Sequence, residues 1–166
     1  MSAATVALTT FWPTKEQLTR LAAPHKPNAA KNGLETTTIS QLHYPLSDSE
    51  REPMPAGGLF STANDLSIFY RMIANGGAFN GKRILSEESF KQWTSKQTGD
   101  LATEYGFGIK VGKTIGHGGA YGTNSAWDPE HGLITIYLVQ HAGFGPGGKD
   151  ILPMFMKTAQ DSFAAH

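Results

Sequence analysis

The segment that decides the fold is Pro55-Ala-Gly-Gly-Leu-Phe-Ser-Thr-Ala-Asn-Asp-Leu-Ser-Ile-Phe69. It begins with glycines typical of a turn and continues with the spacing of a helix. Thr62 and Asp65 are three positions apart, as in a capping box, where the first side chain accepts a hydrogen bond from the backbone N–H of the second residue. Apolar residues then recur at helical spacing until Asn75-Gly-Gly77, a sequence typical of a helix end. The segment therefore predicts a turn followed by a capped helix.

Two further helices are predicted toward the C-terminus. Ser86 has the chemistry of an N-cap, and Phe90 and Trp93 would share one face of the helix that follows. Residues 149–165 predict a last helix that covers a sheet. The side chains expected on its covering face are Ile151, Met154, Phe155, Thr158 and Phe163.

Three antiparallel strands are predicted between these helices. Residues 105–111 alternate apolar and small or polar side chains, the pattern of a strand with one buried face. A second strand is predicted through 117–127, and 128–132 has the composition of a hairpin loop. Residues 133–139 form an almost unbroken apolar strand.

The first part of the chain is less regular. A short helix is predicted near 14–22, followed by a polar stretch over 24–52 with few periodic apolar positions. A connection this long without structure of its own is unusual in a compact domain. We therefore interpret residues 1–166 as a single partial α+β domain, with an irregular segment at 1–52 and a helix, helix, three strands and helix at 53–166.

Composition excludes several classes of function. Hydrophobic residues make up 39% of the chain and charged residues 17%, as in a globular protein. The formal net charge is zero, so no broad field favours nucleic acid or a membrane surface, and we expect neither as a partner. The absence of cysteine excludes disulfides and thiolate chemistry. We find no signal-peptide pattern and no transmembrane stretch, so the compartment cannot be inferred.

Two sequence features resemble ligand motifs, but we expect neither a cofactor nor a metal from them. Gly143-Phe-Gly-Pro-Gly-Gly148 fits a dinucleotide-binding pattern literally, but the chain lacks the following strand and acidic residue that such a site needs. We interpret it as a loop. The histidines do not have metal-ligand spacing. They are His25, His43, His117, His131, His141 and His166.

The segment 55–69 closely resembles a stretch, P-A-G-G-L-x-S-T-x-x-D-L-x-x-F, of class C β-lactamase-like proteins, a group that includes carboxylesterases, D-aminopeptidases and D,D-peptidases. The resemblance covers nearly the whole chain from Phe11. Its other matching stretches are Asn75-Gly-Gly77, Gly81-Lys-Arg-Ile-Leu-Ser86, Tyr105-Gly-Phe-Gly108, His117-Gly-Gly119 and Trp127-Asp-Pro129. It implies the C-terminal half of a serine β-lactamase-like, penicillin-binding-protein-like fold, with helices packed on an antiparallel sheet of three or more strands.

The same resemblance assigns a candidate site. In the family, Ser-x-x-Lys, Tyr-x-Asn and a Lys-Thr-Gly-like triplet build the acyl-transfer site. His117, Gly118 and Gly119 resemble the third motif, as in esterase-like members in which His replaces Lys. By this resemblance the three residues line the substrate side, and Ala120 supplies a backbone N–H to the oxyanion of an amide or ester ligand. Glycines would allow the close approach that such a strand requires.

The other two motifs are absent from the sequence. No Ser or Thr has Lys three positions later, and no Tyr or Ser precedes Asn by two; Thr62-Ala-Asn64 is the nearest match. In full-length relatives both motifs lie before the segment matching Phe11-Trp-Pro13. We therefore expect a fragment of a serine hydrolase that is inactive alone and lacks the family nucleophile.

Two alternatives remain open. One is a non-catalytic module that binds a ligand or partner through the exposed half of the cleft. The other is a minimal esterase that uses a substitute nucleophile, for which Ser125 is the candidate because it follows His117 by eight positions. The other serines considered are Ser61, Ser67 and Ser89.

Assembly is predicted from the strand at 133–139. Its apolar residues occupy both faces, as in a central strand, and an open edge there would recruit another strand. Residues 5–11 have β-forming composition and are one source of such a strand. We expect a homodimer, formed by edge pairing or by exchange of this N-terminal segment.

Overall fold

The computed structural model of the protein describes residues 8–143 and 148–163. The helices among them are α1 (Lys15–Thr19), α2 (Ala63–Ala74), α3 (Glu87–Trp93) and α4 (Ile151–Phe163), the last preceded by a 3-10 turn at Gly148–Asp150. The strands are β1 (His25–Pro27), β2 (Leu34–Thr36), β3 (Ala78–Phe79), β4 (Lys82–Arg83), β5 (Ile115–Gly118), β6 (Asn124–Asp128) and β7 (Leu133–Tyr137). Within these ranges no helix combines the length and apolar character that crossing a membrane requires.

Helix α2 begins and ends where the sequence predicts. The Thr62 hydroxyl accepts from the Asp65 N–H at 3.2 Å, and the helix ends at Ala74. The Asp65 carboxylate, which is 2% exposed, accepts from the Leu8 N–H at 2.9 Å and from the Thr9 hydroxyl at 2.8 Å. The first turn of α2 therefore also holds residues 8 and 9 of the N-terminal segment by hydrogen bonds.

Strands β5, β6 and β7 form an antiparallel sheet in that order. Its two faces carry different helices, because successive side chains of a strand point to opposite faces. Ile134 packs with the core beneath α2. Tyr137 contacts Phe155 of α4, with ring centroids 5.3 Å apart. The sheet thus lies between α2 and α4.

Two of the predicted strands differ from the structure. The predicted second strand, 117–127, is two strands, because the chain reverses after β5: the Gly119 N–H donates to the Thr123 carbonyl at 2.7 Å, and Gly122 has φ of +84°. The predicted first strand, 105–111, is not a strand. It bends at Gly108, where φ is +74°, so its ends make only isolated bridges.

For α3 the predicted cap is confirmed, whereas for α4 the predicted covering face is wrong. Ser86 caps α3 as predicted, accepting from the Ser89 N–H at 3.0 Å. Helix α4 forms, but most of its predicted covering face is exposed, with Met154 at 65% and Phe163 at 76%. A rotated face is covered instead, because the helix contacts β7 around Phe155. The half-buried residues of α4 are Leu152, Phe155, Met156, Ala159 and Gln160.

Residues 8–50 contain more structure than the sequence predicts. Helix α1 is shorter than the predicted helix at 14–22, and a capping box between Thr14 and Gln17 begins it. Strands β1 and β2 pair as a small hairpin inside the stretch predicted as irregular. A second apolar cluster holds this region together. Its buried members are Ile39, Leu42 and Leu46.

The main core lies between α2 and the sheet. Ile73 is fully buried at its centre, because the side chains of α2 meet those of the sheet and of Ile109 there. The buried residues of this cluster are Tyr70, Met72, Ile73 and Ile109. Burying side chains of this size contributes about 1.5–3 kcal/mol each. The core therefore fixes α2 against the strands that carry the candidate site.

A buried carboxylate joins the β6–β7 hairpin to α4. Asp128 accepts from the backbone N–H groups of Glu130 and His131 at 3.0 and 3.2 Å, from the His131 ring at 2.8 Å and from the Gln160 amide at 3.2 Å. Burial alone would raise the pKa of Asp128. The hydrogen bonds from His131 and Gln160 outweigh that effect and hold its pKa below the ordinary 3.8.

Replacing this carboxylate should destabilise the fold. Asp128→Asn removes the charge and leaves one of the donors without an acceptor, so we expect a loss of about 1–3 kcal/mol in the free energy of unfolding at neutral pH. Because the folded pKa is lowered, this stabilisation is present above pH 3.8 and is lost as the pH falls below it. Urea unfolding of the wild type and the variant at neutral pH and below pH 3.8 measures how much of this stabilisation is lost.

The matched control is Asp161→Asn, which changes a carboxylate of α4 itself. Asp161 pairs with Lys157 at 2.8 Å, but both side chains are mostly exposed, so its removal should change stability little. Equal effects of the two substitutions would contradict the role of the buried carboxylate.

Candidate active site

A cavity of about 440 Å³ lies where the N-terminal segment, the start of α2 and the ends of the sheet meet. His117, Gly118 and Gly119 form part of its wall, and Ser125 lies beside them. The opposite wall comes from residues 8–22 and 59–66. Among the lining residues there are Thr10, Gln17, Arg20, Leu21, Phe60 and Ser61. The fold thus brings the predicted triplet into a concave site.

His117 stands on β5, and its exposed ring makes two hydrogen bonds. Its Nε2 lies 3.1 Å from the Tyr105 hydroxyl, and its Nδ1 lies 2.5 Å from the Gly118 carbonyl oxygen. The rings of Tyr105 and His117 are tilted, with centroids 5.7 Å apart. No role for Tyr105 follows from its place in the sequence, because the bend at 105–111 that brings it to His117 is a tertiary feature.

The glycines of this strand have different reasons to be glycine. A Cβ at Gly116 would overlap the Ser125 carbonyl and the Ala126 side chain, so close pairing of β5 with β6 requires glycine. A Cβ at Gly119 would overlap the Thr123 hydroxyl inside the turn. At Gly118 the nearest atoms would lie 3.5 Å away, an ordinary contact. A side chain at Gly118 would therefore touch its neighbours without overlapping them, unlike one at Gly116 or Gly119.

Ala120 lies in the turn after β5, exposed and outside the wall of the cavity. The Gly119 N–H is used inside the turn, since it donates to the Thr123 carbonyl at 2.7 Å. Among the described residues the Ala120 N–H has no hydrogen-bond partner. Its assignment as the oxyanion donor stays a prediction.

Ser125 and His117 are directly opposite each other on neighbouring strands, yet their side chains have different partners. The Ser125 hydroxyl donates to the Tyr70 hydroxyl at 3.0 Å, and the Tyr70 hydroxyl donates to the Ser125 carbonyl at 2.7 Å. Burial raises the pKa of Tyr70, and its hydrogen bonds with Ser125 and with the His117 backbone lower the pKa by less. Tyr70 therefore supports the strand pair from below as a neutral phenol.

The other serines considered are not placed beside a base. Ser61 lines the cavity, and its hydroxyl lies 2.8 Å from that of Thr9. Ser67 donates to the Asn64 carbonyl at 2.7 Å, within α2. Ser89 is the hydrogen-bond partner of Ser86 at the start of α3.

The wall of the cavity carries little charge. Its ionisable members are Arg20 and His117. Within residues 8–143 and 148–163, no three His, Cys, Asp or Glu side chains come together as metal ligands. Of the glycine-rich stretch 143–148, residues 144–147 lie outside the described part of the chain.

The sequence profile of the family described as Beta-lactamase matches residues 4–153. The chain belongs to that family. Membership of the β-lactamase family confirms the resemblance found in the sequence.

Two curated relatives match part of this β-lactamase-family chain. They are Uncharacterized protein MT1414 of Mycobacterium tuberculosis strain CDC 1551 / Oshkosh and protein Rv1367c of strain ATCC 25618 / H37Rv. Each is 31% identical over 113 residues, which include 51% of this chain. The chain spans 28% of the length of either relative.

A solved structure from Bacteroides dorei DSM 17855, provisionally assigned as a β-lactamase, has a similar fold. The TM-score is 0.56 at 19% identity, covering 67% of this chain and 43% of the other. Similarity at this level of identity concerns the fold alone. It confirms the predicted β-lactamase-like α+β architecture.

Removing the Tyr70 hydroxyl should weaken the base of the candidate site. Tyr70→Phe leaves the Ser125 hydroxyl and carbonyl without their partner, and we expect a loss of about 1–3 kcal/mol in the free energy of unfolding. Because burial raises the folded pKa, this contribution is complete below pH 10.0 and is lost as the pH rises through the folded value. Denaturant unfolding at neutral and alkaline pH tests both expectations.

Tyr137→Phe is the matched control for this measurement. The Tyr137 hydroxyl makes no hydrogen bond with another described residue, so its loss should change stability by less. If both variants unfolded like the wild type, the supporting role of Tyr70 would be rejected.

Proposed function

We propose that this chain forms the substrate-binding and oxyanion side of an acyl-transfer site for β-lactam, peptide or ester substrates. The observation that carries the proposal is the position of His117, Gly118 and Gly119 in the wall of a cavity. A cavity of about 440 Å³ lies within the range of small-molecule sites, roughly 300–1,000 Å³. We also propose that the chain alone does not turn over.

The absence of turnover follows from the surroundings of the serines. A serine hydroxyl attacks a carbonyl only when a neighbouring base takes its proton. Ser125 donates to the neutral phenol of Tyr70, whose raised pKa opposes loss of its own proton. Ser61 has Thr9 as its hydroxyl partner, which is not a base. A nucleophile brought by another segment or chain would complete the reaction.

A ligand-binding module without catalysis is the second candidate. The described chain already forms a cavity, and its wall mixes apolar side chains with hydroxyl and amide groups, as small-molecule sites do. A small amide or ester ligand fits such a wall, because its charged members are few. The same surroundings of Ser125 disfavour a minimal esterase built on that residue.

Incubation with nitrocefin and p-nitrophenyl acetate tests the proposal. We expect no hydrolysis above background and no covalent adduct with a fluorophosphonate in the intact mass, because donors alone polarise a carbonyl without forming an acyl-enzyme. Ser125→Ala and Ser61→Ala are the matched variants. Hydrolysis that survives further purification and disappears in one of them would overturn the proposed inactivity and identify a substitute nucleophile.

Binding is tested separately by titration with an uncleaved β-lactam or a small ester, followed through His117 and Gly118 by NMR. We expect shifts at both residues in the wild type, and His117→Ala should weaken the binding that is followed through Gly118. Binding without hydrolysis agrees with both candidates. Shifts confined to residues outside the cavity would contradict the assignment of the site.

We also propose a homodimer that pairs through β7. This strand lies at the margin of the described sheet, and Leu138 just beyond it is 44% exposed. Thr10 pairs with Phe60 of the same chain. Strand β1 is bonded to the chain beyond Leu138, where the His25 N–H donates to the Gln140 carbonyl at 2.9 Å, so the proposed dimer edge is confined to β7 itself. These contacts favour edge pairing over exchange of residues 5–11, of which 5–7 lie outside the described residues.

Light scattering at micromolar concentration should give twice the monomer mass of 17.9 kDa. Leu138→Lys places a charge at the margin of the described sheet, beside the cavity that Leu138 also lines, and should restore the monomer. The control, Leu101→Lys, changes a leucine that is 66% exposed in another loop and should not. A monomeric wild type would refute the proposed dimer.

A further inference from the structure

The contact between Tyr105 and His117 determines where the proton of the imidazole lies. The Gly118 carbonyl can only accept, so the His117 Nδ1 beside it must carry a hydrogen. A neutral imidazole carries one such hydrogen, which leaves Nε2 as an acceptor. The Tyr105 hydroxyl, 3.1 Å away, is then its donor.

We propose that Tyr105 is a positioning residue that fixes His117 as the Nδ1-protonated tautomer and orients its ring at the cavity. The proposal rests on the proposed function, since it concerns the residue assigned there to the substrate side. It adds a residue that the His-Gly-Gly triplet does not contain. Second partners of this kind set the tautomer of functional histidines.

The backbone holds Tyr105 in place for this task. Tyr105 forms a bridge with Lys110, and Lys110 forms a bridge with Gly116 of β5. The Lys110 N–H donates to the Gly116 carbonyl at 2.9 Å, and the Gly116 N–H donates back at 3.1 Å. The chain carrying the phenol is therefore linked to the strand that carries the imidazole, one residue before His117.

The arrangement uses both ring nitrogens of His117 within the protein. A ligand that needs a hydrogen bond from this ring must displace either the Tyr105 hydroxyl or the Gly118 carbonyl. A bound ligand otherwise meets the carbon edge of an oriented ring. Tyr105 thus decides which atoms of His117 face the cavity.

NMR of the full chain with 13C- and 15N-labelled histidine measures the tautomer directly. The His117 signals are assigned from their loss in His117→Gln. We expect the Nδ1-protonated form in the wild type near neutral pH. Tyr105→Phe should move the ratio of tautomers toward the Nε2-protonated form by roughly fivefold to tenfold, the effect of losing one hydrogen bond.

Tyr137→Phe is the control and should leave the ratio unchanged, because that hydroxyl lies on the face of the sheet toward α4. A purely structural role of Tyr105 would lower the melting temperature without moving the ratio, and this outcome would overturn the proposal. An Nε2-protonated wild type would overturn it as well, even if Tyr105→Phe failed to fold.

The measurement is independent of the proposed acyl-transfer role, since it needs no substrate. A fixed tautomer in a chain whose cavity binds no ester or β-lactam would reject the proposed function and retain the positioning role. Ligand-induced shifts at His117, together with a mixture of tautomers that Tyr105→Phe does not change, would retain the proposed function and reject the positioning role.

Discussion

The buried hydroxyl of Tyr70 lies where α2 packs against β6, and it exchanges hydrogen bonds with the Ser125 carbonyl and hydroxyl. Because Ser125 is directly opposite His117 in the sheet, this contact fixes the position of residues 117–119 relative to α2. Loss of a buried partner costs more than a formed bond contributes, since the remaining groups stay desolvated. The packing of the core and the position of the candidate site thus depend on the same phenol.

Much of the fold can be predicted from local sequence. The caps at Thr62 and Ser86 and the hairpin loop at 128–132 involve residues a few positions apart, so their spacing reveals them. Alternation does not predict the reversal at Gly119, because it shows the faces of a strand but not the direction of the chain. The covered face of α4 depends on where Phe155 contacts the sheet. The helical spacing of apolar residues does not contain this information.

The site was predictable only in part. Resemblance to the family identified His117 and its glycines, and the fold places them in a cavity wall. Tyr105 and Tyr70 were not identified as members of the site, since both reach it through contacts formed by bends and crossings of the chain. Tyr70 occupies a helical position that equally suits an ordinary core residue. The sequence therefore indicates the strand that carries the candidate residues but not the side chains that contact it.

The clamp between Thr9 and Asp65 closes a loop of 56 residues. Closing a loop of that length costs chain entropy, and this cost opposes attachment of the N-terminal segment that lines the cavity. A ligand in contact with both Thr10 and Ser61 would offset part of this loss, so occupancy and attachment of the N-terminal segment are coupled equilibria. Each would strengthen the other, and slower amide hydrogen exchange at Thr9 and Thr10 would report that the cavity is filled.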